Sequence, residues 1–144
     1  MSTLNKAIVI FILSLTLAAC GASRKAKPIT GSLPQVSESN ARIYFYRSKV
    51  PFLAAIEPKF LVDEKVVGKA VMNQAIYRDA RPGVYEIKIS SDMENPITLT
   101  LSPGETRYIK AYGTTSVIRT YLSIEEINEK QAVKDLEGQK LLAP

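Results

Sequence analysis

The chain has 144 residues, 46% of them hydrophobic, with 19 Lys and Arg against 14 Asp and Glu and a formal net charge of +5. That length suits one domain around one core, and the modest excess of cations is spread along the chain, which argues against nucleic acid as a partner. There is no His and a single Cys, so the commonest general base and metal ligand is missing and no intramolecular disulfide can form.

In chain order the first element is an export signal. Lys6 supplies a positive n-region, the apolar run from Ala7 to Ala19 an h-region, and Ala18 and Ala19 the small residues before a cleavage site. The run is shorter than the roughly 20 residues a bilayer-spanning helix needs. Leu17-Ala18-Ala19-Cys20 resembles the lipobox of bacterial lipoproteins. That resemblance implies that Cys20 is acylated and becomes the first residue of the mature protein after residues 1–19 are removed. An ordinary secretory signal with a chance cysteine and an uncleaved anchor are the other readings. Gly21 after the cysteine, by the sorting habits of Gram-negative lipoproteins, implies the outer membrane facing the periplasm.

Residues 20–40 then form the lipidated cysteine and a flexible tether, rich in Gly, Ser, Pro and isolated charges. Arg24, Lys25 and Lys27 suit either anionic lipid or a plain solvated spacer.

Residues 41–144 are predicted to be the folded domain. Short apolar runs alternate with turn residues: "ARIYFYRS", "KFLVD", "KVVGKAVM", "QAIYRDA", "GVYEIKIS", "PITLTLS", "TRYIKAYG" and "VIRTYLSI". This pattern predicts an all-β fold, a small antiparallel β-sandwich. Arg81-Pro82-Gly83 and Ser102-Pro103-Gly104 read as type II turns, Asp63-Glu64-Lys65 as a hairpin, and Asp92 to Pro96 as a loop with Pro96 opening the next strand. Period two puts Ile43 and Phe45 on one face of the first strand and Arg42, Tyr44 and Tyr46 on the other. Ser123-Ile124-Glu125-Glu126 fits a capping box, so a C-terminal α-helix is expected over about 124–137, stopped by Gly138 and followed by a frayed tail. Its apolar stripe would be Ile124, Ile127, Val133 and Leu136.

No Gly-x-Ser-x-Gly, Walker loop or Gly-x-Gly-x-x-Gly occurs. The acids Asp63, Glu64, Asp79, Asp92 and Glu94 fall at predicted turns or strand ends, and no spacing singles out a catalytic pair. The expectation is therefore a protein that is not an enzyme, with no metal and no cofactor beyond the covalent lipid on Cys20.

One constellation mixes tyrosine with cations at alternating positions: Arg42, Tyr44 and Tyr46; Tyr108, Lys110 and Tyr112; Arg119 and Tyr121. If their strands are neighbours, these residues form either a basic aromatic interaction surface or half-buried cross-strand packing.

The domain resembles a family of small bacterial lipoproteins known only as a domain of unknown function. The resemblance rests on "ARIYFYR", "FLVDEKVVGKAV", "RPGVYEIKI" and "SPGETRYIKAY" and runs from about Ala41 to Glu126. Family members usually carry Gly in the hairpin turn where Asp63-Glu64-Lys65 stands. The resemblance implies a fold and no catalytic residue. The expected function is a non-catalytic binding or scaffolding module, held on the membrane by N-terminal acyl chains and contacting an envelope protein or cell-wall polymer. An accessory subunit of a secretion or envelope-assembly complex is the alternative, and a glycan-acting hydrolase built on turn carboxylates a more distant one.

Overall fold

The structure is a computed structural model describing residues 26–143. The signal segment, Cys20 and the tether up to residue 25 lie outside the described residues. The elements are β1 (Lys27–Pro28), β2 (Ala41–Arg47), a 3-10 turn (Pro51–Leu53), β3 (Lys59–Val62), β4 (Lys65–Lys69), β5 (Gln74–Ala80), β6 (Gly83–Ile89), β7 (Asp92–Leu101), β8 (Thr106–Thr115), β9 (Thr120–Ile127), α1 (Glu129–Leu136) and β10 (Lys140–Leu142).

The strands form two packed sheets, one ordered β1-β10-β5-β2-β8-β9 and the other β4-β3-β6-β7. Most pairs are antiparallel, as expected; β2 with β8 and β5 with β10 run parallel. The period-two assignment of β2 holds. Ile43 and Phe45 enter the core between the sheets with Phe60, Val62, Ile87, Leu99, Ile109 and Leu122. Tyr44 and Tyr46 lie on the other side, in a second apolar layer with Ile29, Ala75, Tyr108, Ala132 and Leu136. The larger sheet is thus covered on both faces.

That second layer corrects three expectations. The tether does not run free to residue 40: Lys27 and Pro28 pair with Leu141 and Lys140, and Ile29 is buried and exchanges backbone hydrogen bonds with Gln139 and Gly138. Ile29 and Leu33 supply apolar surface that the outer face of the sheet accepts. The tail does not fray, because Lys140 to Leu142 add a parallel strand to β5. The helix starts later than expected. Ser123 to Ile127 continue β9 against β8, with Leu122 and Ile124 in the core, and the N-cap is Asn128, whose side chain accepts from the Gln131 N–H at 3.0 Å. The buried stripe of α1 is Ala132 and Leu136, while Val133 is exposed. Gly138, at φ 75°, ends the helix as expected.

Turn chemistry differs in detail. Ser102-Pro103-Gly104-Glu105 closes with Glu105 N–H donating to the Ser102 carbonyl at 3.2 Å and Gly104 at φ 74°, as a type II turn requires. Gly83, by contrast, is extended and opens β6, so Arg81-Pro82-Gly83 is not type II. Asp63 and Glu64 both adopt positive φ, 46° and 62°, giving the two-residue β3–β4 hairpin a type I′ character without glycine. Pro96 falls inside β7, not at its start; β7 is an edge strand with a bulge opposite Ile87 to Ile89, where a missing N–H is tolerated.

Arg47 closes one end of the sandwich. It is fully buried, and its guanidinium donates to the carbonyls of Ile56 (2.6 Å), Ala70 (3.0 Å) and Leu53 (2.6 Å). This fork gathers the long β2–β3 connection against the end of β4.

Candidate functional site

Parallel register between β2 and β8 sets Tyr44 beside Tyr108 and Tyr46 beside Lys110. Antiparallel register sets Tyr112 opposite Ser123 and Thr114 opposite Tyr121. The strands carrying the tyrosine and cation set are therefore neighbours, and Arg42, Tyr44, Tyr46, Tyr108 and Lys110 come together on the outer face.

They do not form an open surface. Arg42, Tyr44, Tyr46 and Tyr108 are all buried, beneath residues 29–35 and α1. Arg42 grips Asp79 with two hydrogen bonds, 2.6 and 2.9 Å, donates a third to the Pro34 carbonyl at 2.7 Å, and lies 4.1 Å over the Tyr77 ring. Tyr44 stacks on Tyr108 (centroids 5.6 Å apart, planes at 11°) and donates its hydroxyl to the same Pro34 carbonyl at 3.2 Å. The N-terminal strap is thus fastened at Pro34 by two donors from β2. Of the two readings of the set, these four positions follow packing and not an interaction surface, because Ile29, Leu33 and α1 bring enough apolar area to cover them.

Asp135 on α1 fastens the helix. Its Oδ2 accepts from Tyr46 Oη (3.1 Å) and Lys110 Nζ (2.8 Å), and its Oδ1 from Gln131 Nε2 (2.7 Å). Burial would raise the Asp135 pKa, but the Lys110, Gln131 and Tyr46 donors outweigh it and hold the carboxyl below its ordinary 3.8. Burial, and the Asp135 charge next to it, push the Tyr46 hydroxyl well above the usual tyrosine range. Tyr108 is pushed up to about 12, first by burial and then by Glu129.

Between strap and helix a cleft of about 280 Å³ opens over Tyr44 and Tyr108, with Gly31, Gln35, Thr106 and Glu129 at its sides. A groove of about 340 Å³ follows the β1–β10 edge past Lys27, Ile29, Tyr77 and Leu141.

The remaining members of the set stand apart, where β8 and β9 project past the sheet. Tyr112 and Tyr121 are half-buried and Arg119 is exposed, its guanidinium 4.7 Å over the Tyr121 ring. The hairpin tip between them carries Val117, fully exposed, and Ile118, 88% exposed. Beside the hairpin, Val50 and Leu53 pack closely over Gly113, 3.2 and 3.4 Å from where a Cβ would stand, and Phe52 between them is 78% exposed. Residues 43–56 and 107–124 contain no acid, so the hairpin and the 3-10 turn are apolar, aromatic and positive, with Asp92 at the β6–β7 turn buried against Ser123 behind them.

Sequence reasoning missed Asp79 and Asp135 as partners of the cations, and Phe52, Val117 and Ile118 as the exposed apolar group. Asp79 was legible as an acid, but its role depends on standing opposite Arg42 in the β2–β5 register. Val117 and Ile118 read as the start of a strand, whereas the bonds between Ser116 and Arg119 turn the chain there. Cys20 lies outside the described residues. Among the described residues no three His, Cys, Asp or Glu side chains converge to hold a metal, and no helix is long and apolar enough to cross a membrane.

A small two-sheet β domain, its outer face closed by its own N- and C-terminal segments, is the class these observations define. Residues 37–122 match the family described as a protein of unknown function, DUF2846, and the chain belongs to that family. The match begins just before β2 and ends within β9, so the strap, α1 and β10 fall outside it. No curated protein and no solved structure matches the chain.

Proposed function

We propose that this protein is a lipid-anchored component of the bacterial cell envelope, acylated at Cys20, that binds or scaffolds another envelope component without catalysis. The observation carrying the reading is the division of the tyrosine and cation set. Its covered members fasten the chain's own terminal segments, while half-buried Tyr112 and Tyr121 and exposed Arg119 stand at the β8–β9 hairpin, the end that also carries Phe52, Val117 and Ile118. Exposed apolar residues gathered at one end of a small domain mark a contact surface. A non-catalytic role is supported by the engagement of acids with cations: Asp79 with Arg42, Asp135 with Lys110, Glu105 and Glu126 with Arg107.

The test is in-cell photo-crosslinking from position 121, with position 46 as the buried control. Adducts in the membrane fraction from 121 and none from 46 support the hairpin end as the contact surface; adducts from neither refute it. Palmitate incorporation should be lost in Cys20→Ser, and labelling that survives this change refutes the anchor.

A further inference from the structure

We infer that the β8–β9 hairpin tip is a membrane-inserting wedge, and that the envelope component it contacts is the anionic lipid surface in which the chain is itself anchored. This rests on the lipid-anchored reading above and names the occupant of its contact surface.

Three observations carry it. First, chemistry changes along the hairpin in the order a bilayer interface demands. Val117 and Ile118 stand at the tip without partners; Arg119 and Tyr121 follow, cation over ring at 4.7 Å. Aliphatic side chains suit the hydrocarbon boundary, and tyrosine and arginine suit the headgroup level behind it. Phe52 adds a third apolar point and Lys49 a further exposed cation. A protein partner would have to offer concave pockets for these separate points, whereas a lipid surface accommodates them without shape complementarity.

Second, charge is complementary. The hairpin and the 3-10 turn carry cations and no acid in residues 43–56 or 107–124, which suits anionic headgroups; Asp92 is buried against Ser123, five residues along the chain from Ile118 at the tip.

Third, the lengths agree. The chain packs from Lys27 onward, so only the segment from Cys20 to Ala26 separates an acylated cysteine from the sheet, and fully extended it spans about 20 Å. Lys27 is level in register with Leu141, Ala75, Tyr46 and Lys110 in turn. The tip lies seven residues beyond Lys110, about 23 Å along the hairpin. A wedge sunk a few ångströms into the interface therefore holds Lys27 at the height that the tether reaches. A tether this short also keeps the domain at high effective concentration over the surface.

The chain contains no Trp, so Ile118→Trp introduces a single reporter at a position whose exposure makes misfolding no obstacle. Val84→Trp, exposed on β6 at the end of the fold where β7 turns into β8, is the control. The chain as processed by its host is isolated from membranes and reconstituted into phosphatidylethanolamine–phosphatidylglycerol vesicles, with and without brominated acyl chains. A blue shift and bromine quenching at 118, with neither at 84, is the expected result. A chain that floats with the vesicles while position 118 stays unquenched overturns the wedge and leaves the anchor standing. A chain that does not float refutes the anchor and the wedge with it. A blue shift that follows protein concentration and not lipid assigns the tip to a second copy and overturns the lipid occupant.

Discussion

Tyr46 and Asp135, 89 positions apart in the chain, meet at 3.1 Å across the outer face of the larger sheet, and the same carboxylate oxygen accepts Lys110 at 2.8 Å. Strands β2 and β8 each place one donor, and the helix between β9 and β10 answers both with a single acceptor. This junction fixes where α1 lies, and through β10 and β1 it fixes where the N-terminal segment enters the fold.

Asp135→Ala removes the acceptor and leaves a buried tyrosine hydroxyl and a lysine ammonium without their partner. The expected cost is about 2–3 kcal/mol, against about 1 kcal/mol for Tyr46→Phe, which removes donor and need together. Urea unfolding of both single variants and the double variant checks this. The double variant should lose less than the sum, because the two changes delete the same bond; strict additivity would show that the bond contributes nothing.

Acid should loosen the same junction. The Asp79 carboxyl is held low by its hydrogen bonds with Arg42, and Asp135 is held low by Lys110, Gln131 and Tyr46 despite its burial; both lie below the ordinary 3.8. A depressed carboxyl contributes stability that is fully present above its unfolded pKa and is lost as pH falls through the folded value. The urea midpoint should therefore hold from neutral pH down to about pH 5 with respect to these groups and fall below about pH 4. Asp135→Asn should flatten that fall, and an unchanged acid slope in this variant would rule out the linkage at Asp135.

The division of the β2 face was legible because strand alternation is local: Ile43 and Phe45 had to oppose Tyr44 and Tyr46. What lay over Tyr44 and Tyr46 was not legible, because the cover comes from Ile29, Leu33, Ala132 and Leu136, residues at the two ends of the chain. Segments as rich in Gly, Ser and Pro as residues 21–40 lack a period of their own, and the order around Ile29 comes from tertiary packing. The helix start misled for a similar reason. Ser123 to Glu126 satisfies the local rule for a cap, but pairing of β9 with β8 and burial of Ile124 outweigh one capping box. Eight positions of the tyrosine and cation set therefore shared a pattern yet separated into fasteners and an exposed end, a distinction that only strand register and the terminal segments could draw.

Arg47 should be intolerant of change. Burial draws its pKa below the usual arginine range, with Glu57 pulling the other way, and its worth lies in reaching three carbonyls at once. Arg47→Lys keeps the charge but cannot fork. It should cost about 3 kcal/mol and speed proteolysis within residues 50–58, where the connection loses its tie. Limited proteolysis with mass mapping reads this directly, and an Arg47→Lys protein as stable and as resistant as the parent would refute the role.

Gly68 on β4 faces Ile76 on β5 across the two sheets: a Cβ at position 68 would collide with Ile76 Cδ1, while the remaining Ile76 atoms stand at ordinary contact distance, 3.6 Å and beyond. Gly68→Ala should therefore destabilise by about 1 kcal/mol, the low end of overpacking, since only the terminal methyl of Ile76 must swing away. Ile76→Val removes the colliding methyl and on its own should cost about 1 kcal/mol. In the double variant the new methyl occupies the space of the old one. If close approach of the sheets is the constraint, the double variant should be more stable than Gly68→Ala alone, a sign that thermal unfolding of the three proteins reads without calibration. A double variant less stable than either single would show that position 68 needs glycine for its backbone, and that the sheet spacing there is set elsewhere.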